Sequence, residues 1–506
     1  MKRSAIIGFL AGCCAFSFSQ VPQFSRAFQT IKTNVPIAII NSQPEYFYVL
    51  RYNKGVHDFT IEKRAKPTAE IIGFTPLKLD SVNNSWFDYE KIDYLFYEHH
   101  RQLYFVFEKL INSKNSLYLK VIDTLSKSSG FIELASYDFD KTLQDFSFSF
   151  KKTDNDNILI VATHTYLNGT VKKTAQLYDI EERRMVWTKK LPIENAVSGY
   201  SSAFECNTAG DLFYVLTQSR TVGYTRKYIH QMEVNVPILF HDAVNLVSYQ
   251  GIDQFHKTPL LTNISHLNSV HILTSGNQVI VQANIGLLCN DSVGSDLYFF
   301  SKKLSADLRS QYYTITSPLA DSLREKLTFY DGSDFKQPGD KDYAFLQQFS
   351  AGQINYQVSE RKEDYYYKEL LVWQTDLQTG QVTHQSIVPR KVLSFKNRTR
   401  FKKVGEAMFV FAADKLNVFV LEAAANFKSK PSKFVYHRFK KETNLWRANV
   451  MMYTIQEGRL EKTLVFHNAE YDMVPLSYSS TDQSDVVFYL NDGKYEKFAI
   501  LKLNPS

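Results

Sequence analysis

His99 and His100 stand side by side in the run YEHHRQLYFVF, and imidazole is the commonest protein ligand for transition metals. Neighbouring residues on a strand point to opposite faces, however, and this pair falls where a turn is expected, so the sequence predicts no metal site here. A second group of chemistry-bearing side chains runs from Lys428 to Lys441, with six Lys or Arg, no acid, and Phe434, Tyr436, His437 and Phe439 interleaved. Cations among aromatic rings suit an anionic or carbohydrate partner, through salt bridges and stacking. Lys433, Tyr436, Arg438, Lys440 and Trp446 are therefore candidate binding residues. So are Tyr365 and Tyr367, which alternate along a strand edge. The plain alternatives are a solvated insertion for the basic run and ordinary packing for the tyrosines. No GxSxG elbow, HExxH helix, P-loop, CxxC pair or EF-hand loop occurs, so nucleophilic, zinc, nucleotide and calcium chemistry have no local motif, and no catalytic residue is named.

The scaffold that positions such residues must be rich in strands. Of 506 residues, 14% are aromatic, with 31 Tyr and 38 Phe against 20 Gly and 14 Pro, which is the composition of a packed β protein. A net charge of +7 is small for this length and gives no footing for a nucleic-acid binder.

Two patterns recur along the chain. LYDIEERRMVW from Leu177, WQTDLQTGQVTH from Trp373, MYTIQEGRLEK from Met452, KVIDTLSKSSGF from Lys120 and FTIEKRAKPTAE from Phe59 each take an apolar strand end through a polar turn into a second strand. Before them come an apolar or aromatic anchor, a short polar stretch and a β-rich run, anchored at Ile40, Tyr97, Phe150, Phe204, Ile272, Phe349, Phe401 and Tyr478. The intervals hold four short strands each, with no helical periodicity between them. The expected fold is therefore all-β: a single β-propeller of eight four-stranded blades, or seven if a weak anchor such as Ile40 drops out. The last repeat runs out of chain after three strands, and Phe24 to Ile31 is expected to supply the fourth and close the ring. Loops between strands b and c, and between blades, share one face, and the chain spends its extra residues there: 250–268, 317–343 and 412–446. Cys206 falls at an a-b turn and Cys289 in a b-c loop on the other face, so two free thiols are expected.

The turn YDIEERRMVW, with Asp179 ahead of Trp187, resembles the docking turn of pyrroloquinoline-quinone-type propeller repeats, and DLQTGQVTH from Asp376 keeps its Asp and Thr-Gly. The resemblance implies an eight-bladed ring. Enzymes of that kind are quinone-dependent dehydrogenases that commonly carry a disulfide between adjacent cysteines beside the cofactor. Here the adjacent pair, Cys13-Cys14, sits in the N-terminal leader, so no cofactor is expected.

That leader reads MKRSAIIGFLAGCCAFSFSQ: two cations, an apolar run, then small residues before Gln20, the order of a secretory signal over residues 1–19. Leu10-Ala11-Gly12-Cys13 also resembles a bacterial lipobox, which makes Cys13 a candidate lipidation site and a lipid anchor the alternative to free secretion. No later apolar run is long enough for a transmembrane helix. Residues 20–34 are then the N-terminal segment with its closing strand, and 35–506 the propeller. The function expected from these features is that of an exported, extracytoplasmic, non-catalytic propeller that binds a protein or glycan through its long-loop face. The alternative is an extracytoplasmic carbohydrate-active enzyme with its site at the channel mouth.

Overall fold

The computed structural model describes most of residues 22–503; the longer segments outside the description are 78–93, 124–129, 192–202, 288–296, 324–342, 394–406, 424–436 and 439–447. Eight four-stranded antiparallel blades form a ring. Blade 1 comprises Asn34–Asn41, Tyr46–Asn53, Asp58–Ala65 and Ile71–Leu77, strands a to d in chain order. Blade 2 is Tyr94–His99, Gln102–Ile111, Lys114–Asp123 and Phe131–Asp138, and blade 3 is Leu143–Lys152, Ile158–Tyr166, Val171–Asp179 and Arg184–Leu191. Blade 6 is Tyr343–Ala351, Ile354–Glu363, Tyr366–Asp376 and Val382–Val388, and blade 7 is Ala407–Ala412, Lys415–Ala423, Ala448–Gln456 and Arg459–Asn468.

Blades 4 and 5 share one seven-stranded sheet. It runs Phe204–Cys206, Leu212–Ile229, Met232–Gln250, Gln254–Ser275, Gln278–Leu287, Leu297–Ser305 and Gln311–Pro318. The first part of Gln254–Ser275 is the outer strand of blade 4, pairing with Met232–Gln250, and its last part is the inner strand of blade 5, pairing with Gln278–Leu287. The region 250–268, expected as a loop, is therefore mostly strand. Bulges between Ile264 and His266 and between Asn268 and His271 carry the chain from one blade to the next without a break in pairing.

The ring closes as the sequence predicts. Asp472–Met473, Asp485–Asn491 and Tyr495–Lys502 make three strands of blade 8, and the N-terminal pieces Gln23–Phe24 and Phe28–Gln29 pair antiparallel with Tyr495–Lys502 as the fourth. Ser25 reinforces the splice by exchanging two hydrogen bonds with the Phe498 backbone, at 2.8 and 3.0 Å. One anchor moves. The polar run after Phe401 looks like the a-b turn of blade 7, but the turn lies between Ala412 and Lys415, where Asp414 takes a φ of 58°. Part of 412–446 is consequently strand b.

Eight buried apolar clusters hold the described blades together, one at each blade-to-blade seam from 1–2 round to 8–1. They follow from strand alternation, since odd and even positions of each central strand feed different neighbours. Val358 and Leu370, for example, pack toward blade 7, while Leu371 and Trp373 pack toward blade 5.

The c-d turns do what their sequences suggest. Asp179 Oδ1 accepts from the amides of Glu181 and Glu182, and Asp376 Oδ1 from those of Gln378 and Thr379. Gly380 has a φ of 75°, and a Cβ there would run into the ring of Tyr313 on blade 5. Trp187 Nε1 donates to Gly210 O at 3.1 Å, tying blade 3 to the a-b turn of blade 4.

Candidate metal centre

The a-b turn of blade 2 is two residues long, and both His100 (φ 47°) and Arg101 (φ 63°) are left-handed, the geometry of a tight hairpin turn. This conformation removes the strand alternation that would separate the histidines. Their rings lie on one side with centroids 3.9 Å apart. Across the seam, blade 3 contributes Asp156 from its a-b turn and Glu181 from its c-d turn, where Asp179 fixes the backbone.

Glu181 Oε1 lies 3.5 Å from His99 Nε2 and 3.5 Å from His100 Nε2. One ligand atom from each of His99, His100 and Glu181 falls within 4.8 Å of the others. Ligands about 2.0–2.2 Å from a tetrahedral zinc are about 3.3–3.6 Å from one another, so both histidine-to-glutamate separations already match a zinc site. Asp156 Oδ2 sits 3.1 Å from His99 Nδ1. A carboxylate there, the usual outer partner of a metal-bound histidine, accepts a hydrogen bond from Nδ1–H and so leaves the Nε2 lone pair on the side of Glu181. His99 Nε2 is buried and makes no hydrogen bond. Asp156 is itself held by Lys152 and shields one side, while His100 and Glu181 are 74% and 66% exposed and leave the other open.

Tyr97 and Tyr104 stack beneath the histidines, centroids 5.3 Å apart, and burial raises both phenols, so they remain neutral and serve as a floor. A second polar group links the inner strands of blades 3 and 4, where Lys151 Nζ is 2.5 Å from Glu205 Oε2 and the Cys206 amide donates to Glu205 Oε1 at 2.9 Å. Both carboxylate oxygens are engaged, so this pair is a brace between blades. Burial raises the Glu205 carboxyl, and burial together with the Lys151 charge lowers His271 to about 3. Cys206 is a free, buried thiol pushed up to about 12, first by burial and then by Glu205. Cys289 lies outside the described residues.

Of the residues proposed from sequence, Tyr365, Lys433, Tyr436, Lys440, Trp446 and Cys13 lie outside the described residues. Tyr367 and Arg438 belong to one small extension of blade 6: Val392–Leu393 pairs with Tyr366 and Tyr367 on one side and with His437–Arg438 on the other. The structure thus brings the tyrosine and basic segments together at the backbone level. Described titratable groups in metal-binding geometry instead gather on the opposite face, that of the a-b and c-d turns.

No family model matches this chain, and no curated protein does. Solved structures match over most of its length. The β-propeller domain of a trilobed protease from Pyrococcus furiosus covers 86% of this chain and 99% of its own at 8% identity and a TM-score of 0.36. Dipeptidyl peptidase 4 of Porphyromonas gingivalis covers 91% at 10% identity and a TM-score of 0.41, and the present chain spans 56% of that enzyme. A polysaccharide lyase covers 95% of this chain and all of its own at 9% identity and a TM-score of 0.35. The propellers this chain resembles are named as parts of peptidases and a lyase, none as a non-catalytic binder, so the expectation of a non-catalytic binder working through its long-loop face is corrected and not carried further. Identities this low speak for the fold alone. The resemblance to quinone-type repeats rests on the turns and extends no further.

Proposed function

We propose that this protein is a metal-dependent β-propeller that holds a zinc-type divalent ion on its turn face with His99, His100 and Glu181. The observation that carries the reading is Glu181 Oε1 placed 3.5 Å from Nε2 of each histidine. Two histidines, one carboxylate and an open fourth position form the donor set of hydrolytic zinc sites, in which the ion polarises a bound water or carbonyl. Asp156 orients His99, and Lys152 keeps Asp156 in place.

Calorimetric titration of the purified, chelator-treated chain with zinc is expected to give one site. His99→Ala and Glu181→Ala should each weaken binding by about 100-fold or more, and Asp156→Asn by about 10–100-fold. No saturable binding, or binding indifferent to His99 and Glu181, would end the proposal.

The order of charge, apolar run and small residues over 1–19 supports an extracytoplasmic location. Intact mass from the native host tests it: a chain starting at Gln20 or Val21 means free export, an acylated Cys13 means a lipid anchor, and a full-length chain from Met1 overturns export.

A further inference from the structure

The seam between blades 5 and 6 has a polar middle layer. Asn355, Gln357 and Ser359 on strand b of blade 6 face Gln282 and Asn284 on strand b of blade 5, and all five are fully or almost fully buried. The orientation is fixed by contacts across the seam: Asn355 Nδ2 donates to Gln282 Oε1 at 2.8 Å, Gln282 Nε2 to Thr375 Oγ1 at 3.2 Å, and Asn284 Nδ2 to Ser359 Oγ at 2.8 Å.

Gln357 lies between Asn355 and Ser359 on the same strand face, with no exposed surface, and neither its Nε2 nor its Oε1 makes a hydrogen bond. Exchanging the two amide atoms would not help, since both lack a partner. Its cross-strand neighbour Trp373 is also fully buried, lies tilted against Phe299 of blade 5 with centroids 5.3 Å apart, and has an indole N–H without an acceptor. Asn284 Oδ1 is a further acceptor without a donor. Four buried polar atoms at one seam, two donors and two acceptors, are therefore unsatisfied together. Buried amides are almost always paired, by protein or by internal water making two to four hydrogen bonds.

We infer that the blade 5–6 seam is a built site for internal water, held by the Gln357 amide with the Trp373 indole N–H and Asn284 Oδ1. Water fits because it donates and accepts at once. A cation does not, because the buried carboxylate on this face, Glu369, is already engaged by Arg361 and Tyr343.

A high-resolution crystal structure of the full chain tests this directly. A density peak within hydrogen-bond distance of Gln357 and of Trp373 Nε1 or Asn284 Oδ1 is expected; Gln357 packed with no peak overturns the inference. Gln357→Met, similar in size and free of polar atoms, gives a second readout. If water is bound, the folding equilibrium should fall by about tenfold or more, because Trp373 and Asn284 lose their bridge. If the seam is dry, the methionine variant will be as stable as the parent or more so, and the inference fails. Should that variant not fold, the parent density alone decides.

Discussion

Glu496→Gln will destabilise the ring by about 3–5 kcal/mol, the cost of leaving a buried charge without its partner. Glu496 lies at the 8–1 seam in a network of four side chains, none more than 6% exposed: Arg51, Glu62, Arg64 and Glu496. Arg51 forks onto both Glu496 oxygens and reaches Glu62 Oε2 through Nε at 2.8 Å. Arg64 binds Glu62 through Nε and Nη2 at 2.8 and 2.7 Å, donates to Ala69 O at 2.7 Å, and lies over the rings of Phe28 and Phe498. Tyr489 completes the shell, its hydroxyl donating to Glu496 Oε2 at 3.0 Å. Two cations and two anions balance, so removing one anion leaves Arg51 and Arg64 to share Glu62 alone in a buried network. Urea denaturation should show the drop as a lower midpoint. The double variant Arg51→Met, Glu496→Leu should recover a large part of it, because an apolar pair carries no desolvation cost. If Glu496→Gln leaves the midpoint unchanged, the network does not secure the closure.

Phe105→Ala is expected to cost about 3–5 kcal/mol by the loss of a buried ring and the cavity left behind. Phe105 has no exposed surface and sits at the centre of the 1–2 seam, 4.8 Å from the Phe59 ring, 4.9 Å from Phe107 and 6.2 Å from Phe96. These partners come from two blades, so the vacancy cannot be filled by relaxation of one sheet. Phe105→Leu should retain most of the stability, and an alanine variant as stable as the parent would mean that the seam collapses freely.

Much of this architecture is legible in the chain because blades are local. The c-d turns announce themselves through Asp179, Asp376 and Gly380, whose side chains or backbone angles the turn needs. The closing strand is legible from arithmetic, since the last blade lacks one. The join of blades 4 and 5 is not, because Gly251, Asp253, Pro259 and Asn263 look like loop formers, while only 251–253 interrupts the described strands and the rest is absorbed by bulges. The candidate metal centre is half legible. The pair His99-His100 stands out in the sequence, but strand alternation argues against it. What reverses that argument is the left-handed turn, together with Glu181, more than eighty residues away, which reaches the histidines only because blades 2 and 3 are packed side by side. No short pattern encodes such a meeting.

The strand Gln254–Ser275 serves two blades at once, and this bears on how the molecule would yield under tension. A propeller pulled from its ends should surrender its blades one after another, starting where Gln23–Phe24 and Phe28–Gln29 peel from Tyr495–Lys502. Blades 4 and 5 cannot part in that way, because the outer strand of one continues as the inner strand of the next and the backbone ladder does not stop between them. They would rupture as one larger event, so the eight blades should unravel as seven mechanical units.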